Sequence, residues 1–600
     1  MLKTNPLGVK SGAADALFPA ARRFVAIIVY LCFVISEGTP ARRPPNHFPL
    51  MRRLLLSLLI PFACLALSAQ VSSPRHEVRG VWLTTLNNLD WPSRPATTAA
   101  GERQQREELV RMLDGLKAAG INTVFFQTRV RGTVLYPSAI EPWDGCLTGT
   151  PGRAPGYDPL AFVIEECHKR NMQLHAWVVA YPIHKAAVAK RLAGAALPKR
   201  HPQLCQLCGD AWMMDPGVPG TADYIASVCE EIVRRYDVDG INLDYIRYPE
   251  KAIPFKDDAT YRRYGAGRDR ASWRRDNVTA TVRAIASRVR AQKPWVWISC
   301  SPVGKYADLP LHSSRGWNAR DAVAQDAEAW LRDGLMDMLL PMMYFTGEHF
   351  YPFAVDWQAR AHGKPVVPGL GIYFLNRREK DWPLDVVARE MNFTRSLGEG
   401  QAYFRARFLL DNEKGLKTYC QRRFYRDEAL MPPMTWAGQP APSAPAVGVT
   451  EERWTLRLAW PEVAGATHYN IYRLADHDDS LDSARVLAYY HKDTRYAYAP
   501  ALPGELYGRV AVTAVDRYGQ ESAPAVVQAE RGDTLPTVGD RLALPDTLDC
   551  RLQLTDRAGR VVRTLPRKAT QAYIARLAPG FYQLQTDERI PRVLRQFWKN

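Results

Sequence analysis

Between residues 77 and 410, short runs of β-branched and aromatic residues alternate with longer stretches whose apolar positions recur three and four apart. A continuous apolar run suits a strand buried on both faces, and the 3.6-residue period suits a helix packed on it by one face, so the alternation predicts parallel βα units. Eight runs can be counted: Val78 to Leu86, Asn122 to Val130, Gln173 to Tyr181, Gly240 to Tyr248, Trp295 to Ser301, Met336 to Phe345, Val366 to Phe374 and Gln401 to Leu409. Leu109, Met112, Leu113 and Leu116 form a helical stripe that Gly120 ends. Tyr224, Ile225, Val228, Cys229, Ile232 and Val233 form a second, and Val278, Val282, Ile285 and Val289 a third. Eight strands with helices between them predict an α/β fold, a (β/α)8 TIM barrel. An open doubly wound sheet is the alternative, but no glycine fingerprint for a dinucleotide follows the first strand.

The pattern changes past Trp436. Pro and Ala dominate residues 437–445, an extended linker, so the barrel domain is expected over 76–436. Residues 446–531 carry short strands at regular spacing (Leu456 to Trp460, Tyr469 to Arg473, Arg509 to Ala514), which predict an all-β sandwich. This part resembles a fibronectin type III module, with Trp460 in the place of its core tryptophan. Residues 540–600 predict a small β-rich C-terminal domain with a hairpin turn at Asp556 to Arg560. That segment, with Leu577 to Tyr582, resembles the C-terminal sorting domains of Bacteroidetes secretion systems.

At the other end, Met51, Arg52 and Arg53 precede an apolar run from Leu54 to Leu67 and the small residues Ser68 and Ala69. This is the layout of a signal peptide at 51–70, which predicts export to the periplasm, the cell surface or the medium. Met51 opens a complete signal by itself, so residues 1–50 read as an upstream extension, with a signal anchor at 24–35 as the competing reading. Both apolar runs are shorter than a bilayer requires. A 46% apolar content over 600 residues requires several globular domains. The 79 Lys and Arg outnumber 62 Asp and Glu to give +17, but no basic block or nucleic-acid motif accompanies the excess. An anionic envelope polymer or a solvated surface explains the charge better than nucleic acid. Eight of the ten cysteines follow the signal. Cys205 and Cys208 make a lone CxxC without a second Cys/His pair, which fits a local disulfide or loop thiols better than zinc.

In a (β/α)8 barrel, functional groups sit at the C-terminal ends of the strands. Asp244 follows the apolar run 240–243 and would stand at the barrel mouth, able to act as acid, base or nucleophile. The competing role is an ion pair with Arg247 or Arg129. Asp239 starts the same strand at the opposite end, where it caps or turns, and His175 reads as a core histidine.

Several longer motifs stand in fixed order: Arg79-Gly80-Val81-Trp82-Leu83-Thr84-Thr85, Leu89-Asp90-Trp91-Pro92-Ser93, Tyr136-Pro137-Ser138, Glu141-Pro142-Trp143, Gly156-Tyr157-Asp158-Pro159-Leu160 and the segment from Asp239 to Pro249. Residues 76–415 thereby resemble the glycosyl-hydrolase-like family 10 barrels. The resemblance implies an exported hydrolase of polysaccharide, with bacterial peptidoglycan glycan strands a leading substrate. The residues themselves show no cluster of His and Asp at ligand spacing, and no cofactor, metal or obligate protein partner is expected. Many members of that family carry two successive acids after the fourth strand, and here Tyr245 stands at the second.

Glycoside hydrolysis ordinarily uses a second carboxyl group. Glu348 after the sixth strand and Asp90 after the first are the leading candidates, with Glu141 and Asp144 behind them. Substrate-assisted catalysis by a sugar N-acetyl group needs only one acid. Flat sugar faces call for exposed rings at the strand ends, and Trp91, Trp143, Tyr181, Trp317, Tyr344 and Tyr373 fall there. Arg129 and Arg247 would grip the carboxylates of an anionic glycan or hold Asp244. A non-catalytic carbohydrate-binding or cell-surface attachment protein on the same barrel is the rival reading.

Overall fold

In the computed structural model the apolar runs become β1 (Arg79–Leu83), β2 (Thr123–Arg129) and β3 (Gln173–Val179). After β3 comes a small sheet of β4 (Pro182–Lys185), β5 (Cys205–Cys208) and β6 (Ala211–Met214). The barrel then continues with β7 (Gly240–Asp244), β8 (Trp297–Cys300), β9 (Met338–Leu339), β10 (Gly369–Leu370) and β11 (Gln401–Tyr403). The structure describes residues 73–528 except 313, 399, 453, 454, 476, 477, 479 and 500–507, and after those residues 541–543 and most of 551–599. The expected signal peptide at 51–70, and residues 1–50 before it, lie outside the described residues. Among the described residues no helix is long and apolar enough to cross a membrane.

The eight barrel strands are parallel in the order β10-β11-β1-β2-β3-β7-β8-β9. Bridges of Leu339 to Val366 and of Met342 to Gly369 join β9 to the β10 edge, so the sheet curls shut as a (β/α)8 barrel. The last three strands are far shorter than their apolar runs. Pro341, Pro365 and Pro368 lack the N–H that a ladder needs, and past residue 405 the eighth run turns into the helix Ala406–Leu410.

The expected helical stripes face the barrel. Ala99–Ala118 is capped by Thr98, whose hydroxyl accepts the Gly101 amide, and it buries Leu109, Leu113 and Leu116. Met112 is only partly covered. Gly120 ends this helix at φ +86, where a Cβ would lie 2.6 Å from Tyr425, so both conformation and space demand glycine. Pro219–Arg235 buries its whole apolar stripe, Cys229 included, and Arg270–Gln292 buries Val278, Val282, Ile285 and Val289 beneath an Asp269 cap. Burying these faces supplies most of the barrel's stability.

The β4-β6-β5 sheet in the third loop is not legible in the sequence. There Cys205 and Cys208 lie three apart on one strand, so their side chains leave opposite faces; of the two readings, a local disulfide or plain thiols, the thiols hold, on a strand rather than in a loop.

The chain divides after Pro432. In the second unit, β12 (Gly448–Glu452), β13 (Thr455–Ala459) and β16 (Arg495–Tyr498) form one antiparallel sheet. A four-stranded sheet holds β14 (His468–Arg473), β15 (Arg485–His491), β17 (Arg509–Val515) and β18 (Ala525–Gln528). Leu456, Leu458, Trp460, Tyr469, Ile471, Val510 and Val512 fill an all-β core there. Beyond it, Leu552–Asp556 and Val561–Leu565 pair as an antiparallel hairpin across the expected turn.

Candidate active site

Side chains alternate along β7, so Asn242 and Asp244 share the face toward the barrel interior, while Ile241 and Leu243 join the outer core. Asn242 anchors a buried polar layer: its Oδ1 accepts the Trp82 indole at 3.3 Å and its Nδ2 donates to Ser299 Oγ at 3.1 Å. Asp244 lies one step nearer the mouth and is 6% exposed. Its Oδ2 accepts Trp177 Nε1 at 3.1 Å, and its Oδ1 accepts the Tyr245 amide at 2.7 Å. Burial raises the Asp244 carboxyl above the usual carboxylate range, against the pull of Arg247, the Tyr245 amide, the Trp177 indole and Arg131. The charged side chains acting most strongly on it are both cations. The result is a carboxylic acid that holds its proton to higher pH, the property a general acid needs.

Tyr245 has φ +50, a left-handed conformation that costs a bulky L-residue of order 1–3 kcal/mol. Its half-buried ring lies under the Arg247 guanidinium at 4.6 Å, and the half-exposed Trp317 ring is 5.5 Å from the same cation. Arg247 is 5% exposed, pairs with Glu250 at 3.2 Å, and leaves its Nε without a hydrogen-bond partner among the described residues. Arg131, half-buried two residues beyond the end of β2, is the second cation beside Asp244.

The ends of β9, β10 and β11 contribute a wall of rings. Tyr344 stacks on Phe404 at 5.4 Å and meets Tyr373 edge-on at 5.8 Å. Burial, then Asp244, Tyr373 and Tyr245, push the Tyr344 phenol well up. Both tyrosines are half-buried.

Other expected site residues lie elsewhere. Arg129 is fully buried, its Nε and Nη2 holding Glu141 at 2.8 and 2.6 Å and its Nη1 bonded to the carbonyls of Val179 and Ala180. It is a strut between loops, out of reach of a substrate, and Glu141 is committed with it. Trp91 and Tyr181 are wholly buried core rings; Trp91 donates to the Gln105 carbonyl at 2.9 Å. Trp143 is half-buried against the core. Asp90 is buried, with one oxygen on the Thr84 amide at 2.8 Å and the other on Arg405 and the Arg407 amide, a clamp between the ends of β1 and β11. Asp144 is likewise engaged, by Thr133 at 2.6 Å and the Cys146 amide at 2.8 Å. Glu348 is exposed in the turn Gly347–His349.

Two structural residues match their sequence reading. His175 is fully buried edge-on to Phe125 at 5.2 Å, and burial pushes its imidazole down to about 4. Asp239, at the other end of β7, accepts the Leu174 amide at 2.7 Å and contacts His168 at 2.9 Å. Arg131 is the residue that sequence reasoning missed: its signal was the pair of arginines flanking Val130, of which the second acts on Asp244 while the first is buried against Glu141. Among the described residues no group of three or more His, Cys, Asp or Glu is arranged to hold a metal ion.

The family described as Glycosyl hydrolase-like 10 matches residues 77–374. The glycosyl hydrolase YngK of Bacillus subtilis (strain 168) is 33% identical over 425 residues, covering 67% of this chain and 82% of that protein. The glycosyl hydrolase DigH of Escherichia coli (strain K12) is 37% identical over 302 residues, covering 47% of this chain and 67% of that protein. Among solved structures, the PgaB (BpsB) glycoside hydrolase domain from Bordetella bronchiseptica covers 58% of this chain and 98% of its own, at 13% identity and a TM-score of 0.40, too distant to bear on function.

Proposed function

The chain belongs to the glycosyl hydrolase-like 10 family, and from that membership and the geometry of its barrel mouth we propose that it hydrolyses glycosidic bonds of a polysaccharide, with peptidoglycan glycan strands as the substrate. The observation that carries the reading is Asp244: a buried carboxyl group raised above its ordinary range, at the C-terminal end of a barrel strand, facing a wall of half-buried tyrosines. Asp244 protonates the glycosidic oxygen. The Tyr344 and Tyr373 rings supply a surface for the sugar, and Arg131 and Arg247 supply charge for its anionic groups. The protein acts after export, as the signal-peptide layout at 51–70 suggests, and the fibronectin-like sandwich serves as a spacer that carries no chemistry.

The test is release of reducing ends by the protein and by Asp244→Asn from peptidoglycan with and without stem peptides, beside a panel of other glycans. Product from peptidoglycan that disappears in the variant supports the proposal. Binding without turnover, unaltered by Asp244→Asn, supports the rival reading of a carbohydrate-binding protein. That rival draws on the engagement of Asp90, Glu141 and Asp144 in structural contacts.

A further inference from the structure

A two-carboxylate mechanism asks for a second acid seated near the first, and of the candidates at the strand ends and in the loops all but the exposed Glu348 are held in structural contacts. Asp90 is bound by Arg405 and two backbone amides, Glu141 by Arg129 and the Tyr224 hydroxyl, and Asp144 by Thr133 and the Cys146 amide. Asp215, in the third loop, accepts Thr260 Oγ1 at 2.6 Å and the Gly217 amide at 2.9 Å. Glu348 stands exposed in its turn. The ionisable groups acting most strongly on Asp244 are Arg247 and Arg131, and the phenols of Tyr245 and Tyr344 and the buried Cys300 thiol feel its charge.

Tyr245 is the one of these built into the catalytic turn. Its amide holds Asp244 Oδ1, its left-handed backbone sets where its side chain leaves the chain, and Arg247 lies over its ring. The phenol oxygen has no hydrogen-bond partner among the described residues and is not among the buried unsatisfied atoms, so it is open to a ligand.

Building on the hydrolase reading, we propose that Tyr245 is a catalytic residue that orients the 2-acetamido group of the sugar whose glycosidic bond Asp244 protonates, so that the acetamido oxygen takes the place of a carboxylate nucleophile. The substrate class is a β-linked 2-acetamido sugar, in which that group and the leaving group are trans. Asp244 gives its proton to the glycosidic oxygen. The bond from that oxygen to the anomeric carbon breaks, its electron pair leaves with the departing sugar, and the acetamido carbonyl oxygen bonds to the anomeric carbon to give an oxazolinium ion. Water then attacks the anomeric carbon, Asp244 takes a proton from it, and the acetamido group is restored with retained configuration. The Tyr245 oxygen accepts the acetamido N–H, a bond that strengthens as positive charge develops on that nitrogen.

The experiment compares the protein with Tyr245→Phe and Tyr344→Phe on peptidoglycan glycan strands, on the same strands after chemical N-deacetylation, and in the presence of the thiazoline analogue of the 2-acetamido sugar. The anomer first released is read by NMR. The expected result is retention, no cleavage of the deacetylated strands although they compete for binding, and inhibition by the thiazoline. Tyr245→Phe, which keeps the ring under Arg247, lowers kcat roughly tenfold to a hundredfold with KM little changed and weakens the thiazoline. Inversion, equal cleavage of deacetylated strands, or full activity in Tyr245→Phe overturns the inference and leaves the hydrolase reading standing. Loss of activity in Tyr344→Phe with Tyr245→Phe unaffected also overturns it. Cleavage of no glycan by the unsubstituted protein overturns the hydrolase reading and this inference with it.

Discussion

Trp177 on β3 donates its indole N–H to Oδ2 of Asp244 on β7, 3.1 Å away across two adjacent parallel strands. The bond favours the carboxylate, because an N–H donor stabilises the charged form. An acid that gives up its proton in the transition state therefore leaves behind an anion that Trp177 already faces. Trp177→Phe keeps a buried ring and removes the donor. The expected outcome is a loss of about tenfold in kcat, the kinetic equivalent of about 1.4 kcal/mol, and a basic limb of the pH profile moved to higher pH.

Arg131 and Arg247 act on Asp244 in the same sense, each stabilising its carboxylate. Removing either cation raises the Asp244 carboxyl further, so the protonated acid persists to higher pH. Arg131→Met is therefore expected to extend activity on the alkaline side while weakening the binding of anionic glycans. The kcat/KM profile against pH checks the first part, and KM on glycans with and without carboxylates checks the second. An unmoved basic limb would mean that Asp244 is not the titrating acid.

Much of this site was legible in the sequence, and the parts that were not share a cause. Asp244 was placed correctly because a period-2 strand carries its polar residue to the mouth, and His175 because a histidine inside such a run is buried. Arg129, Trp91 and Tyr181 are buried instead of lining the mouth, because a strand end shows which residues reach the rim but not whether they turn inward or pack against the next loop. Arg129 turns toward Glu141, twelve residues on, and that pairing depends on how the second loop folds back. The short β9 and β10 were overdrawn for a related reason: their apolar runs are continuous in sequence, and only the intervening prolines mark where the ladder stops.

Glu390, on the helix Leu384–Ser396, is 1% exposed and neither carboxyl oxygen has a hydrogen-bond partner among the described residues. Burial raises its carboxyl well above the ordinary value, with Arg389 opposing; its charge in turn helps lift the Tyr351 phenol. Between the ordinary carboxylate value and the raised one, the folded protein binds a proton that the unfolded chain has released, so stability falls as pH rises through that window. Glu390→Gln removes the titration. The variant is expected to melt about 1 to 3 °C above the parent at neutral pH and to converge with it in acid, read by thermal denaturation at a series of pH values. A difference independent of pH would show that packing, not the proton, is responsible.

The Arg129–Glu141 pair separates a structural role from a substrate-binding one. The guanidinium is fully buried and its donors go to Glu141 and to the carbonyls of Val179 and Ala180, while Tyr224 donates to Glu141 at 3.1 Å. Glu141→Ala leaves a buried cation without its counter-charge, a change that costs about 3–5 kcal/mol and lowers the melting temperature of the barrel by roughly 10 °C. Replacing both partners by apolar residues of similar volume, Arg129→Met with Glu141→Leu, removes the uncompensated charge and is expected to recover most of that loss, because a buried ion pair gains little over well-packed apolar groups. Since neither residue reaches the mouth, the double variant should also keep its KM for glycan within a factor of about two. A double variant that melts normally but has lost its affinity for glycan would return Arg129 to the substrate site. Loss of both together would mean that the second loop, which this pair holds, is what shapes the mouth.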